Sequence, residues 1–110
     1  MIAAVLLASM IGSWNCSDSQ EPGVRFLWVF SSDKTGSKRE LGARPLVTRF
    51  SYNVNGRYLF RYFSDGGKTR DLISLENGRL RILSAGYWHE NVWAAIPDAG
   101  SVACTRRHGS

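Results

Sequence analysis

The chain holds two cysteines, Cys16 close to one end and Cys104 close to the other, and no other feature restricts its fold as strongly. If both oxidise, only one connectivity exists. Such a bridge closes most of the chain into one loop, a constraint on the unfolded state worth about 4–5 kcal/mol on chain-entropy grounds. It also requires an oxidising compartment, outside the cell or in the secretory pathway. Trp28 follows Cys16 by twelve residues, and Cys104 closes the run Asp98-Ala99-Gly100-Ser101-Val102-Ala103-Cys104.

Between the cysteines, short apolar runs alternate with turn chemistry, the pattern of an all-β chain. Val24, Phe26, Trp28 and Phe30 share one face of an extended segment, while Leu27 and Val29 make the opposite face largely apolar as well. A strand apolar on both sides is covered twice or forms an interface. Asn55-Gly56 and Asn77-Gly78 are the dipeptides best suited to tight hairpins, and Asp65-Gly66-Gly67 marks a third sharp turn. Arg79 and Arg81 alternate with Leu80 and Ile82, which gives that strand one wet face and one core face. Pro45 points to an edge position. No βαβ unit fits among so many turns.

At 110 residues the chain is one domain. The run Met1 to Ile11 is too short to span a bilayer, which takes about 20 apolar residues. Its length suits a secretory leader cleaved near Ile11-Gly12-Ser13, although no basic residue precedes it. The alternative is a first strand of the domain. Residues 1–13 are accordingly read as an apolar leader or first strand, and residues 14–110 as the domain. No other segment could be a membrane span.

Fourteen Lys and Arg against nine Asp and Glu give a net charge of +5, spread from Arg25 to Arg107. This reads as a positively charged surface rather than a nucleic-acid footprint, since no aromatic RNA box, basic helix or zinc finger accompanies it. His89 and His108 lack the ligand spacing of a metal site, and no nucleophile motif or carboxylate pair is visible. Asp65-Gly66-Gly67-Lys68-Thr69 lacks the first glycine of a phosphate loop and is a turn. No catalytic residue, metal or cofactor is expected. Asn15-Cys16-Ser17 fits the glycosylation pattern, with Asn15 facing out if Cys16 faces in.

Cys16, Phe26-Leu27-Trp28-Val29-Phe30, Asp71 to Ile82 and Asp98 to Cys104, in this order, resemble the framework of an immunoglobulin V-set domain, as in the V-type ectodomains of fish immune receptors. The resemblance spans residues 13–107. It implies a two-sheet Greek-key sandwich of variable type, with a Cys16–Cys104 bridge between the sheets and Trp28 packed on it. Leu80, Ile82 and Asp98 join that framework, and Arg70 is the positional candidate for a salt bridge to Asp98. The loop Ser17–Gly23 and the segment Thr105–Gly109 would share the ligand-binding end. Arg106, Arg107 and His108 would make that end basic and suited to an acidic or sialylated ligand. Leu27 and Val29 would face outward on the sheet (strand C of the family) through which variable domains form homo- or heterodimers.

The sequence departs from the family in several places. Val102 replaces the usual corner tyrosine, extra length runs from Gly86 to Trp93, and the chain stops six residues after Cys104, which would leave the Cys104 strand a bare edge. The resemblance implies an extracellular or cell-surface domain that binds a protein ligand in immune recognition or adhesion. The alternative is a laminin-G-like glycan or matrix module, suggested by Tyr58–Phe63, Asp65–Gly67, Leu72–Ile82 and Trp88-His89. A further alternative is a non-functional fragment of a longer receptor.

Overall fold

Side-chain alternation decides which residues of each strand are covered, and the computed structural model follows it through residues 9–42, 46–95 and 101–107, the described part of the chain. Nine strands occur there: β1 (Gly12–Asp18), β2 (Arg25–Phe30), β3 (Thr35–Leu41), β4 (Val47–Asn55), β5 (Tyr58–Tyr62), β6 (Lys68–Glu76), β7 (Arg79–His89), β8 (Val92–Ala95) and β9 (Val102–Arg106). Trp14 and Cys16 on β1, Phe26, Trp28 and Phe30 on β2, Phe50, Tyr52 and Val54 on β4, and Leu80 and Ile82 on β7 are all buried. Each set is spaced by two residues, as a strand with one core face requires.

The turns follow the backbone needs of their residues. Asn77 and Gly78 join β6 to β7 with φ of 52° and 72°, the double left-handed geometry of a type I′ hairpin. Between β4 and β5 the turn is centred one residue later than the Asn-Gly pair, because Asn55 pairs with Tyr58 and leaves Gly56 and Arg57 at the corner. Gly56, at φ 61°, takes the left-handed position there. Glu90 and Asn91 turn β7 into β8 with φ of 48° and 66°, a tight hairpin built without glycine.

β1 to β7 form a meander in which every strand is antiparallel to the next. β9 then lies between β7 and β1 and pairs with both, and β6 also pairs with β7, so eight strands close into a barrel. β8 adds to the end of β7 beyond the ring. The architecture is all-β, but the hydrogen-bonded order is a closed ring rather than two packed sheets. The bridge shows why. Cys16 and Cys104 are bonded to each other and stand directly opposite in the β1–β9 register, with Cα atoms 4.1 Å apart. That is a bond between neighbouring strands, at the short Cα separation of closely spaced antiparallel pairs.

Two further expectations change with it. Phe26 is the residue opposite Cys16 on β2, while Trp28 faces Trp14. The Cys104 strand is no bare edge, since β1 covers one side and β7 the other. Met10 is buried, and its carbonyl accepts the Trp14 indole N–H at 2.8 Å. Gly12 and Ser13 already belong to β1. Residues 1–8, Pro45, Asp98 and His108 lie outside the described residues.

The core is aromatic. Trp28, Phe30, Phe50 and Tyr52 form a run of rings with centroids 5.1 to 6.5 Å apart, mostly tilted or edge-on. The Tyr52 hydroxyl donates to the Ser31 carbonyl at 2.8 Å, and burial pushes its pKa up. Gly36 on β3 leaves room for this cluster. A Cβ there would meet Phe50 Cε1 at 2.6 Å and the Val29 carbonyl oxygen at 2.7 Å. Gly36→Ala is therefore expected to overpack the core and cost about 1–3 kcal/mol, read from the urea midpoint. An unchanged midpoint would mean that the Phe50 ring and the Val29 backbone both move aside freely.

Candidate functional site

Residues that alternate with the core positions form the outer face of the barrel. On β1 these are Asn15 and Ser17, on β9 Ala103 and Thr105, on β7 Arg79 and Arg81. The register sets them in rows. Arg25 on β2 is opposite Ser17, Ser17 is opposite Ala103, and Ala103 is opposite Arg81. One row on, Asn15 is opposite Thr105 and Thr105 is opposite Arg79. Short side chains thus make a floor over β1 and β9, and long arginines rise on either side.

Three strand spacings separate Arg25 from Arg81, about 14 Å at roughly 4.8 Å per strand. The resulting groove has a volume of about 1030 Å³ and reaches Leu41 on one side and Ser74 and Glu76 on the other. Arg25, Arg79 and Arg81 are exposed. None of them has an ion-pair partner among the described residues, where the pairs are Arg61–Asp71 and His89–Glu90. Three unpaired guanidinium groups, each with a planar fork of donors, suit carboxylates held bidentately.

Arg106 and Arg107, expected to bind ligand, are not among the residues that line this groove. β9 is antiparallel to β1, with Asp18 opposite Val102 and Trp14 opposite Arg106. The segment after Asp18 and the segment after Thr105 therefore lie at opposite ends of the barrel and cannot share a binding end. Arg106 is engaged in the fold. Its guanidinium sits 4.2 Å from the Trp14 ring and donates to the carbonyls of Ile11, at 2.9 Å, and of Ser9. The Arg107 amide donates to the Ser13 carbonyl at 2.9 Å.

Leu27 and Val29 lie on the outer face of β2, half-buried. Asn15 is exposed on the groove floor. Arg70 projects from the outer face of β6, where its guanidinium lies 4.9 Å from the Tyr58 ring and 5.2 Å from the Trp93 ring. Trp93 in turn contacts Phe60 and Trp88, so the hairpin β7–β8 lays an aromatic cover beside Arg70. Among the described residues no three His, Cys, Asp or Glu side chains converge as a metal site needs.

The chain matches no protein-family model, no curated protein and no solved structure. What the groove can bind follows from its chemistry. Arg79 and Arg81 were legible as a wet face from their alternation with Leu80 and Ile82. Their facing Arg25 across β9 and β1 depends on strand pairings between distant segments, which alternation does not carry.

The barrel interior holds a second set of charges. Asp71 on β6 is 1% exposed and accepts the Arg61 Nε–H at 2.9 Å. Arg61 lies 4.9 Å from the Trp28 ring, and Lys38 Nζ lies 4.5 Å from the Phe26 ring. Burial pushes the Asp71 carboxyl above the usual carboxylate range, against the opposing pull of Arg61 and Lys38. This set belongs to the core and lies apart from the groove.

Proposed function

We propose that the chain is an extracellular recognition module that binds an acidic protein segment in the groove between Arg25 and the pair Arg79 and Arg81. The observation that carries this reading is the trio of unpaired arginines around a floor of small residues. A net charge of +5 favours the same class of ligand through long-range attraction. The Cys16–Cys104 bond supports an oxidising compartment. Immune recognition or adhesion is the setting suggested by the V-set-like motifs around Cys16, Trp28 and Asp98–Cys104. A bridge between neighbouring strands departs from that family's pattern, so the acidic ligand rests on the groove and the setting on the motifs alone.

A fluorescein-labelled oligoglutamate peptide, followed by anisotropy, tests the reading. Binding is expected, and it should weaken as salt shortens the reach of the arginines to a few ångströms at about 1 M. The variant Arg25→Ser/Arg79→Ser/Arg81→Ser should bind at least about tenfold more weakly, as expected when several charge-assisted contacts are lost together. Equal binding by this variant would move the site elsewhere. Tighter binding of an oligothymidylate than of the peptide would make a nucleic acid the ligand class and overturn the proposal.

A further inference from the structure

We infer that the acidic segment taken by the groove is an α-helix lying along the strands, an inference that rests on the acidic-protein reading above. The first ground is hydrogen bonding. Many extended peptides bind by adding a strand to a sheet edge, which satisfies their backbone groups. The groove offers no such edge. Its floor strands are β1 and β9, and each is paired on both sides: β1 with β2 and β9, β9 with β1 and β7. Their main-chain donors and acceptors are spent within the barrel. A segment pressed onto this floor loses water from its own backbone and must satisfy those groups internally, as a helix does.

The second ground is shape. Asn15, Ser17, Ala103 and Thr105 are short side chains that let a cylinder come close. β2 and β7 are three strand spacings apart, about 14 Å along the sheet, a span comparable to the roughly 10–12 Å diameter of a helix. The third ground is charge spacing. Arg79 and Arg81 are two residues apart on one face of β7, about 6.6 Å along the strand. Carboxylates at i and i+4 of a helix are about 6 Å apart along its axis and on the same side. One flank of such a helix can meet both arginines while its other flank meets Arg25.

The test compares two probe peptides on the intact, oxidised protein. One is alanine-based with glutamates at i and i+4 on one flank and at i+2 and i+6 on the opposite flank. The other has the same glutamates with two central alanines replaced by proline, which breaks the helix. The helical peptide is expected to bind at least about tenfold more tightly, and its circular-dichroism helix signal should rise on binding. Ala103→Phe, which blocks the floor at an exposed position and keeps every arginine, should weaken the helical peptide by a similar factor. Equal affinity for both peptides overturns the helix and leaves the acidic-ligand reading standing. Full binding by Ala103→Phe also overturns the helix, because the occupant would not touch the floor. Failure of both peptides and of oligoglutamate to bind removes the groove reading and this inference together.

Discussion

Replacing both cysteines, as Cys16→Ala/Cys104→Ala, is expected to lower stability by about 2–5 kcal/mol, the range for a native bridge in a small domain. A domain of this size holds about 5–15 kcal/mol in total, so the loss is a substantial share of it. The position of the bond explains the size of the effect. β1 to β7 are joined by consecutive antiparallel pairings, each local in sequence. Closure depends on β9, whose five residues must find β1 across a sequence separation of 88, the span the disulfide ties down. Without the bond, β9 is held by its hydrogen-bonded ladders and by Cys104's neighbours in the core. If β9 detaches, β1 and β7 each present a bare edge, which is a template for aggregation. Urea unfolding of the double variant, with the reduced wild type as control, measures this. An unfolding free energy within about 0.5 kcal/mol of the oxidised wild type would mean that the ladders alone close the barrel. The expected companion result is concentration-dependent association in the variant, seen by sedimentation, with none in the oxidised protein.

The same bridge marks the limit of what the sequence could say. Alternation placed Trp28, Phe30, Leu80 and Ile82 in the core, and the Asn77-Gly78 turn falls where its residues require. These are local properties, set by neighbours two to four residues away. The spacing of Cys16, Trp28 and Cys104 is different. It is compatible with a bond across two sheets and equally with a bond between neighbours in a ring, because separation along the chain does not say which strands lie side by side. The ring is decided by β9 entering between β7 and β1. The β7–β8 hairpin was hidden for another reason, since its corner residues Glu90 and Asn91 adopt left-handed geometry without a glycine to announce it. Likewise, the groove could not be read from Arg25 alone, whose facing partners are more than fifty residues away. Asp71 was not singled out. It shares a strand face with Ile73 and Leu75, both packed in or against the core, but Leu72 on the opposite face is apolar too, so alternation alone did not turn its side chain inward.

That inward carboxylate gives the second large effect. Asp71→Ala is expected to cost about 3–5 kcal/mol, the usual loss when one partner of a buried ion pair is removed. The loss comes less from the missing attraction than from what remains. Arg61 would keep its charge among the rings of Trp28, Phe50 and Phe63 with no carboxylate to balance it. The paired change Arg61→Met/Asp71→Leu should recover most of that loss, because well-packed apolar groups can replace a buried pair at little or no cost. Equal losses in the single and double variants would refute this account and point to packing of Asp71 itself. The pH dependence supplies an independent check. Burial raises the folded-state pKa of Asp71 above its unfolded value of about 3.9, so the folded state binds the proton more readily. The stability this contributes is complete below the unfolded pKa and is lost as pH rises through the folded pKa. Asp71→Asn has no proton to bind there. The stability of wild type relative to Asp71→Asn should therefore grow as the solution is acidified through that window. Asp33, whose carboxyl is lowered mainly by its bond from the Thr35 hydroxyl, is present in both proteins and cancels. A difference that shrinks on acidification would mean that Arg61 outweighs burial and holds Asp71 ionised.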